Sequence, residues 1–392
     1  MRHSWKPVLA ATLAALAIAG CSTVQVTPPA DTAVVAPEPV PGHWRFDAGD
    51  RPPAERDGYR PPRRLAVLLP LSGSLATAAG PVRDGLLAGY YSEQRRRPDI
   101  GFYDTAGTAW GAVEAYRRAL AEGADQVLGP LGRDEVEALF AQGELAVPVL
   151  ALNRAGAPPA NAGSYALAPE DEGKAAADWL AAQGALRVLV LSSGDDNARR
   201  SIDALRARLQ ELGGGVAQLL AVVGEEPPDL IGPMQAAVQA EGGVDAVFFA
   251  LRGPQARLVA PQVSAAGLAG RPRVATSHLL SGTGDADEDA ALDGIAFPTD
   301  AWSVSGVPGL PSAQSLAATL PTARGPAARL FAFGYDAWLL SAYLGHLAGD
   351  PAAAVSSASG VLRLAPDGHV LRTPAWSTFS GGRVVPLAGA AR

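Results

Sequence analysis

From Arg63 onward, short unbroken apolar runs alternate with amphipathic stretches, and midway the series starts again. Leu65-Ala66-Val67-Leu68-Leu69-Pro70 is apolar at every position, as expected of a parallel strand covered on both faces. A helix is predicted over 76–97, with Pro81 marking its true start, then a short strand at Gly101-Phe102-Tyr103. Val113, Tyr116 and Leu120 share one face of the next helix, which Gly123 closes. A strand at Gln126-Val127-Leu128, a helix over 134–142 and a strand over 147–152 complete the first series. The second opens with Glu170-Asp171-Glu172, acid at the positive end of a helix that runs to Gly184. Arg187–Leu191 is its first strand. Ile202, Leu205, Leu209 and Leu212 line the helix that follows, and Gly213-Gly214-Gly215 ends it. Strands follow at 216–223, 246–250 and 273–276, and a last long helix over 327–347. The tail differs: 361–364, 369–371, 376–379 and 383–385 read as short antiparallel strands around turns such as Pro366-Asp367-Gly368. Two strand–helix series in one chain of 392 residues predict an α/β molecule with two doubly wound lobes. The loops after their strands face a crevice.

Those loops carry the polar candidates. They are Ser72, Gly73 and Ser74 after the first strand, whose amides and hydroxyls precede a helix start and suit an anion. Asp104 and Thr105 follow the second strand, Gly129-Pro130-Leu131 the third, and Asn153 and Arg154 the fourth. The second series contributes Ser193 and Asp195, Arg252, Ser277 and His278. The alternative is that these residues only end strands and cap helices, as polar loops do in every doubly wound sheet.

The N-terminus reads as an address. Arg2 and Lys6 precede an apolar run from Val8 to Gly20, short of the roughly 20 residues that span a bilayer but matched to a signal-peptide core. Leu16-Ala17-Ile18-Ala19-Gly20-Cys21 looks like a bacterial lipobox, with Cys21 as the lipidated residue after cleavage. Two or three acyl chains hold far more firmly than one, so a membrane-tethered protein without a spanning helix is expected. Ser22 rather than Asp follows, which by resemblance to Gram-negative lipoproteins favours the outer membrane. Between Ser22 and Pro62 lie nine prolines, the mark of an extended tether. Stretched at about 3.1 Å per residue it reaches on the order of 120 Å. Trp44, Phe46 and Tyr59 stand in this segment; solvated linker is the expectation, with docking onto the folded domain the alternative.

Composition closes off several classes. A formal net charge of −7 argues against a nucleic-acid partner, which requires a dense positive surface. A single cysteine excludes an intramolecular disulfide and a cysteine-based zinc site. No HExxH, GxSxG or P-loop occurs. Asp285, Asp287 and Asp289 imitate the opening of a calcium loop, but Ala290 replaces its turn glycine and Ala296 its bidentate glutamate. No metal, no cofactor and no catalytic residue is expected.

Several stretches taken together resemble the LppC family of lipoproteins, the LpoA-like penicillin-binding protein activators. They are Leu68-Leu69-Pro70-Leu71-Ser72-Gly73, Tyr103-Asp104-Thr105-Ala106-Gly107, and Val147-Pro148-Val149-Leu150-Ala151-Leu152-Asn153. Pro169-Glu170-Asp171-Glu172, Gln255-Ala256-Arg257, Leu292-Asp293-Gly294-Ile295 and Gly334-Tyr335-Asp336-Ala337 continue the likeness, which covers about 63–386. The resemblance implies a bilobal type I periplasmic-binding-protein fold. Beyond the signal peptide over 1–20 and the tether over 21–62 read from the residues, it implies one lobe from 63–168 and about 297–352, and the other from 169–296 and about 353–392. It further implies an outer-membrane lipoprotein, not an enzyme, that binds and stimulates a class A penicillin-binding protein. Two departures stand out: the helical N-terminal domain of larger members is replaced by the tether, and the family's Pro-Trp is Ala301-Trp302. The alternative is a lipid-anchored receptor for an amino acid or similar ligand, closing by a hinge, which Leu152-Asn153-Arg154 fits poorly. A third reading, an envelope hydrolase, needs a carboxylate pair that the helix start at Glu170 and Asp171 explains better.

Overall fold

Each apolar run of the first series becomes a parallel strand, and a fifth strand that the sequence did not mark joins them. They are β1 (Arg64–Leu69), β2 (Asp99–Asp104), β3 (Gln126–Leu128), β4 (Val149–Ala151) and β5 (Ala162–Ser164), hydrogen-bonded in the order β2-β1-β3-β4-β5. This computed structural model describes residues 1, 42–46, 51–224 and 229–387. His43–Arg392 forms one unit. Cys21, the signal segment and most of the tether lie outside the described residues.

Helices α1 (Ala76–Ser92), α2 (Ala109–Ala121) and α3 (Arg133–Phe140) cover the first sheet. α1 starts five residues before Pro81 and carries it inside the first turns, where few intrahelical bonds are lost. Along the second series run α4 (Pro169–Ala181), β6 (Arg187–Ser192), α5 (Asp196–Glu211), β7 (Gly215–Ala221), α6 (Ile231–Gln239), β8 (Ala246–Ala250), α7 (Gly253–Val263), β9 (Arg273–Ala275), the short α8 (Ala286–Asp289) and β10 (Ala296–Thr299). Its parallel core runs β7-β6-β8-β9-β10, the strand order of the first sheet repeated. The expected α/β class with two doubly wound sheets is what the chain adopts.

The chain crosses back through α9 (Ala301–Ser305), α10 (Ala313–Thr319) and the long α11 (Gly325–Gly349), then ends in β11 (Val355–Ser356), β12 (Gly360–Leu364), β13 (Val370–Ser380) and β14 (Arg383–Pro386). α11 lies against α1 at glycine contacts. A Cβ on Gly334 would sit 2.0 Å from the Val82 carbonyl oxygen, and one on Gly85 1.9 Å from that of Phe331. Only glycine permits that approach.

Three expectations are corrected. The two tail segments read around 369–371 and 376–379 are one strand, β13. Its first half pairs with β12, with Gly360 opposite Pro374, and its second half with β10, with Thr299 opposite Ala375. Pro374 stands where the partner changes, the place in a ladder that tolerates a missing N–H. The partition of the two halves also runs differently: β10 belongs to the second sheet, whereas Ala353, Val355, Leu362, Leu364 and Val370 pack into the first core. Finally, the end of the tether is docked. Trp44 and Phe46 stack at 6.0 Å against the first core, and Tyr59 is 2% exposed. Arg51 is buried with its guanidinium on the Asp125 carboxylate (2.7 Å) and on the Asp125 carbonyl (2.6 Å). Aromatic area removed from water stabilises by roughly 2 kcal/mol per ring, enough to hold such a strap down.

Candidate functional site

Strands of one hand and order carry their loops at one end, so the two sheets turn their carboxyl ends toward a shared crevice. On the first-sheet side the polar loop residues satisfy one another. Asp104 accepts from the Ser72 hydroxyl (2.6 Å) and from the amides of Leu71, Ser72 and Ala106. The Ser72 hydroxyl foremost, against some burial, holds the Asp104 carboxyl below its usual range. Gly73 has φ +79°, and a Cβ there would meet the Ala106 carbonyl oxygen at 2.7 Å. Ser74 is exposed and Thr105 buried. Asp104, Ser72 and Gly73 are thereby held in one turn, with Ser72, Gly73 and Ser74 exposed at the carboxyl end of β1.

On the second-sheet side, Ser193, Asp195, Arg252 and His278 come together around a hollow of about 20 Å³, and Ser193, Asp195 and Arg252 also line a more open one of about 570 Å³ with Gly224, Pro254 and Gln255. Asp195 caps α5, accepting from the Ala198 amide (2.9 Å) and the Ser193 hydroxyl (3.0 Å). Burial works to raise its carboxyl, but those donors, with the charges of His278 and Arg252, hold it low. Asn197 stands 3.5 Å from His278 Nε2.

Ion pairs start at α4, and those of Asp171 and Glu172 cross between the two sides. Pro169 opens that helix and Glu170, Asp171 and Glu172 fill its first turn, as expected of acid at a positive helix end. Each acid also holds an arginine. Glu170 grips Arg200 of α5 at 2.7 and 2.9 Å. Asp171 receives both Nη atoms of Arg154, at 2.8 and 2.9 Å, and the same guanidinium reaches the Val370 carbonyl at 3.1 Å. Asn153 holds that loop through the Leu131 carbonyl (3.0 Å).

Glu172 is 3% exposed. It accepts from the Ser277 amide (2.9 Å) and hydroxyl (2.8 Å), and from Arg329 of α11, with Arg372 of β13 at 3.7 Å. Burial pushes its carboxyl up, but Arg329, Arg372 and Ser277 outweigh burial and keep it below its usual range. Asp300, also buried, is pushed the other way: burial and Glu172 raise it against the two arginines. A further hollow of about 320 Å³ lies beside Asp300, Arg329 and Arg372. Beneath it, Tyr165 and the amides of Ala358 and Ser359 bind the carboxylate of Asp336, which burial pushes up to about 6.

Sequence reasoning named Arg154 and Ser277 but missed the buried Glu172, Asp300, Arg372 and Asp336 and the half-buried Arg329 as ionic groups. Glu172 and Asp336 stood in the motifs quoted above, and acid at otherwise apolar positions was the available signal. Asp285 and Asp289, the imitated calcium positions, have protein partners: Asp285 caps α8 and Asp289 is buried against Arg257. Among the described residues, no group of three or more His, Cys, Asp or Glu is placed to hold a metal.

Two stretches, 59–230 and 229–382, match the family described as "LppC putative lipoprotein". The chain belongs to the LppC family. A named relative is the penicillin-binding protein activator LpoA of Dickeya chrysanthemi, 28% identical over 326 residues, covering 73% of this chain and 47% of that protein. This LppC chain thus spans about half the length of the relatives it matches. Among solved structures, the C-domain of Haemophilus influenzae LpoA (YraM), a regulator of PBP1A, superposes with TM-score 0.67 at 22% identity, covering 83% of this chain and 100% of that domain. A protein of Chromobacterium violaceum named for branched-chain amino acid ABC transport gives TM-score 0.64 at 28% identity, covering 81% and 99%. The type I periplasmic-binding-protein-like fold expected of an LppC member is therefore present.

Proposed function

We propose that this chain is an outer-membrane lipoprotein, anchored at Cys21, whose bilobal part binds and activates a class A penicillin-binding protein without catalysing a reaction itself. The observation that carries the reading is the extent of the likeness: the chain matches a complete domain of a regulator and lies among relatives named as activators. The bolted cleft supports it. A receptor of small solutes works by lobes that part and close. Here Arg154–Asp171 and Glu172–Arg329 span the crevice and oppose that parting. A fixed surface suits a regulator, whose contact must favour the active state of its partner by its differential affinity alone.

The test mixes unlipidated protein beginning at Ser22 with the cognate synthase and measures binding and peptide cross-linking of glycan. Binding with faster cross-linking is expected; neither binding nor stimulation would sink the reading. Thermal stabilisation by a free amino acid would point to the receptor instead, and turnover by this chain alone to an enzyme. Cys21→Ser is expected to move the protein from the membrane fraction to the soluble periplasm.

A further inference from the structure

Between α4 and the first half of β13 runs a groove of about 740 Å³. Trp179 and Trp376 stack in it at 5.6 Å, and Leu371 (50% exposed) and Pro374 flank them. One margin of the groove is a strand edge. The Ala365 amide bonds to the His369 carbonyl and the Gly294 amide to that of Phe379, so odd-numbered residues of β13 face β12 and β10. The Leu387 amide bonds to the Trp376 carbonyl and Arg154 to that of Val370, so even-numbered residues face the other edge. β14 covers that edge from Ser377 onward. Among the described residues no strand covers it between Leu371 and Pro374, which turns the main-chain groups of Arg372 toward the groove.

The charges there are compensated with one exception. Asp171 holds Arg154, Asp178 holds Arg208, and Arg372 lies beside Glu172. Lys174 is exposed and forms no ion pair among the described residues. On a chain of net charge −7 the groove thus presents one uncompensated positive charge between an aromatic pair and a strand edge.

We propose that this groove docks an extended acidic segment of the partner synthase: its main chain along the free edge of β13, a carboxylate on Lys174 and an apolar side chain on Trp179 and Trp376. The inference rests on the function proposed above. Edge pairing supplies affinity and the alternating side chains supply specificity, with the buried aromatics as the anchor.

The chain has two lysines, and Lys6 lies upstream of Cys21, so protein beginning at Ser22 carries one ε-amine. Zero-length carbodiimide coupling to the synthase, mapped by peptide mass, is expected to include a cross-link from Lys174 to an Asp or Glu of the partner, distinct from products formed through this chain's carboxylates or the Ser22 α-amine. Lys174→Arg removes the cross-link and retains binding; Lys174→Glu weakens binding tenfold or more at low salt and less at high salt. Binding by the synthase with no Lys174 cross-link, and with Lys174→Glu binding as tightly as wild type, overturns the docking site alone. Lys174 coupling to a second copy of this chain overturns it in favour of self-association. If the wild-type protein does not bind the synthase, the functional reading falls and this site with it.

Discussion

Replacing Glu172 by Gln keeps the side-chain shape and removes one charge from the centre of the molecule. Glu172 is 3% exposed and ties α4 to Ser277, to Arg329 on α11 and to Arg372 on β13. In the wild type two acids, Glu172 and Asp300, face two arginines. The substitution leaves Arg329 and Arg372 with only Asp300, whose carboxyl burial already pushes toward the neutral form. Breaking one partner of a buried ionic cluster costs about 3–5 kcal/mol; the retained amide, still able to accept from the Ser277 backbone, should keep the loss near ~3 kcal/mol. The pH dependence follows from the lowered folded-state carboxyl. A depressed acid contributes stability above its unfolded value, about 4.3, and that stability is lost as pH falls through the folded value. Urea unfolding of wild type and Glu172→Gln should therefore show a lower midpoint for the variant at pH 7 and a gap that narrows below about pH 4. A loss under about 1 kcal/mol at pH 7, or a gap that does not narrow in acid, would refute the ionic account.

Other outcomes are equally direct. Asp336, held up to about 6 by burial, binds its proton more tightly in the folded state, so its contribution to stability falls as pH rises through that value. Against Asp336→Asn, wild type should gain about 1.4 kcal/mol between pH 7 and pH 5 in urea titrations. Protein truncated to begin at Arg63 loses Tyr59, Arg51 and Trp44 and should unfold on the order of 4 kcal/mol more easily than protein beginning at Ser22. Gly334→Ala forces α11 off the Val82 carbonyl and should lower the melting temperature markedly. Gly345→Ala on the same helix meets nothing within 4 Å and should be neutral or stabilise by up to ~1 kcal/mol.

Where an element is set by its own residues, the sequence showed it: the unbroken run of β1 and the face of α5 were plain from spacing. β5 was not, because Ala162-Gly163-Ser164 carries no periodicity and becomes a strand only by pairing with β4. β13 reads as two short strands with Pro374 between them, and only the change of partner there makes one continuous strand tolerable. The docked strap was misread for a related reason. Proline density speaks for extension, but whether Trp44 and Tyr59 are solvated depends on surfaces built by residues far along the chain, such as Tyr343. In the cleft, acid at the start of α4 was foreseen as helix chemistry; its ionic role needed Arg329, which no local pattern ties to Glu172.

β13 gives the molecule one consequence for how it comes apart. Its first half completes the pairing of β12, whose apolar side chains belong to the first core, and its second half closes the second sheet. Neither half of the protein can shed its last strand without stripping an edge from the other. Calorimetry should accordingly record a single melting event, with the enthalpy expected of the whole unit, where two independently stable halves would give two.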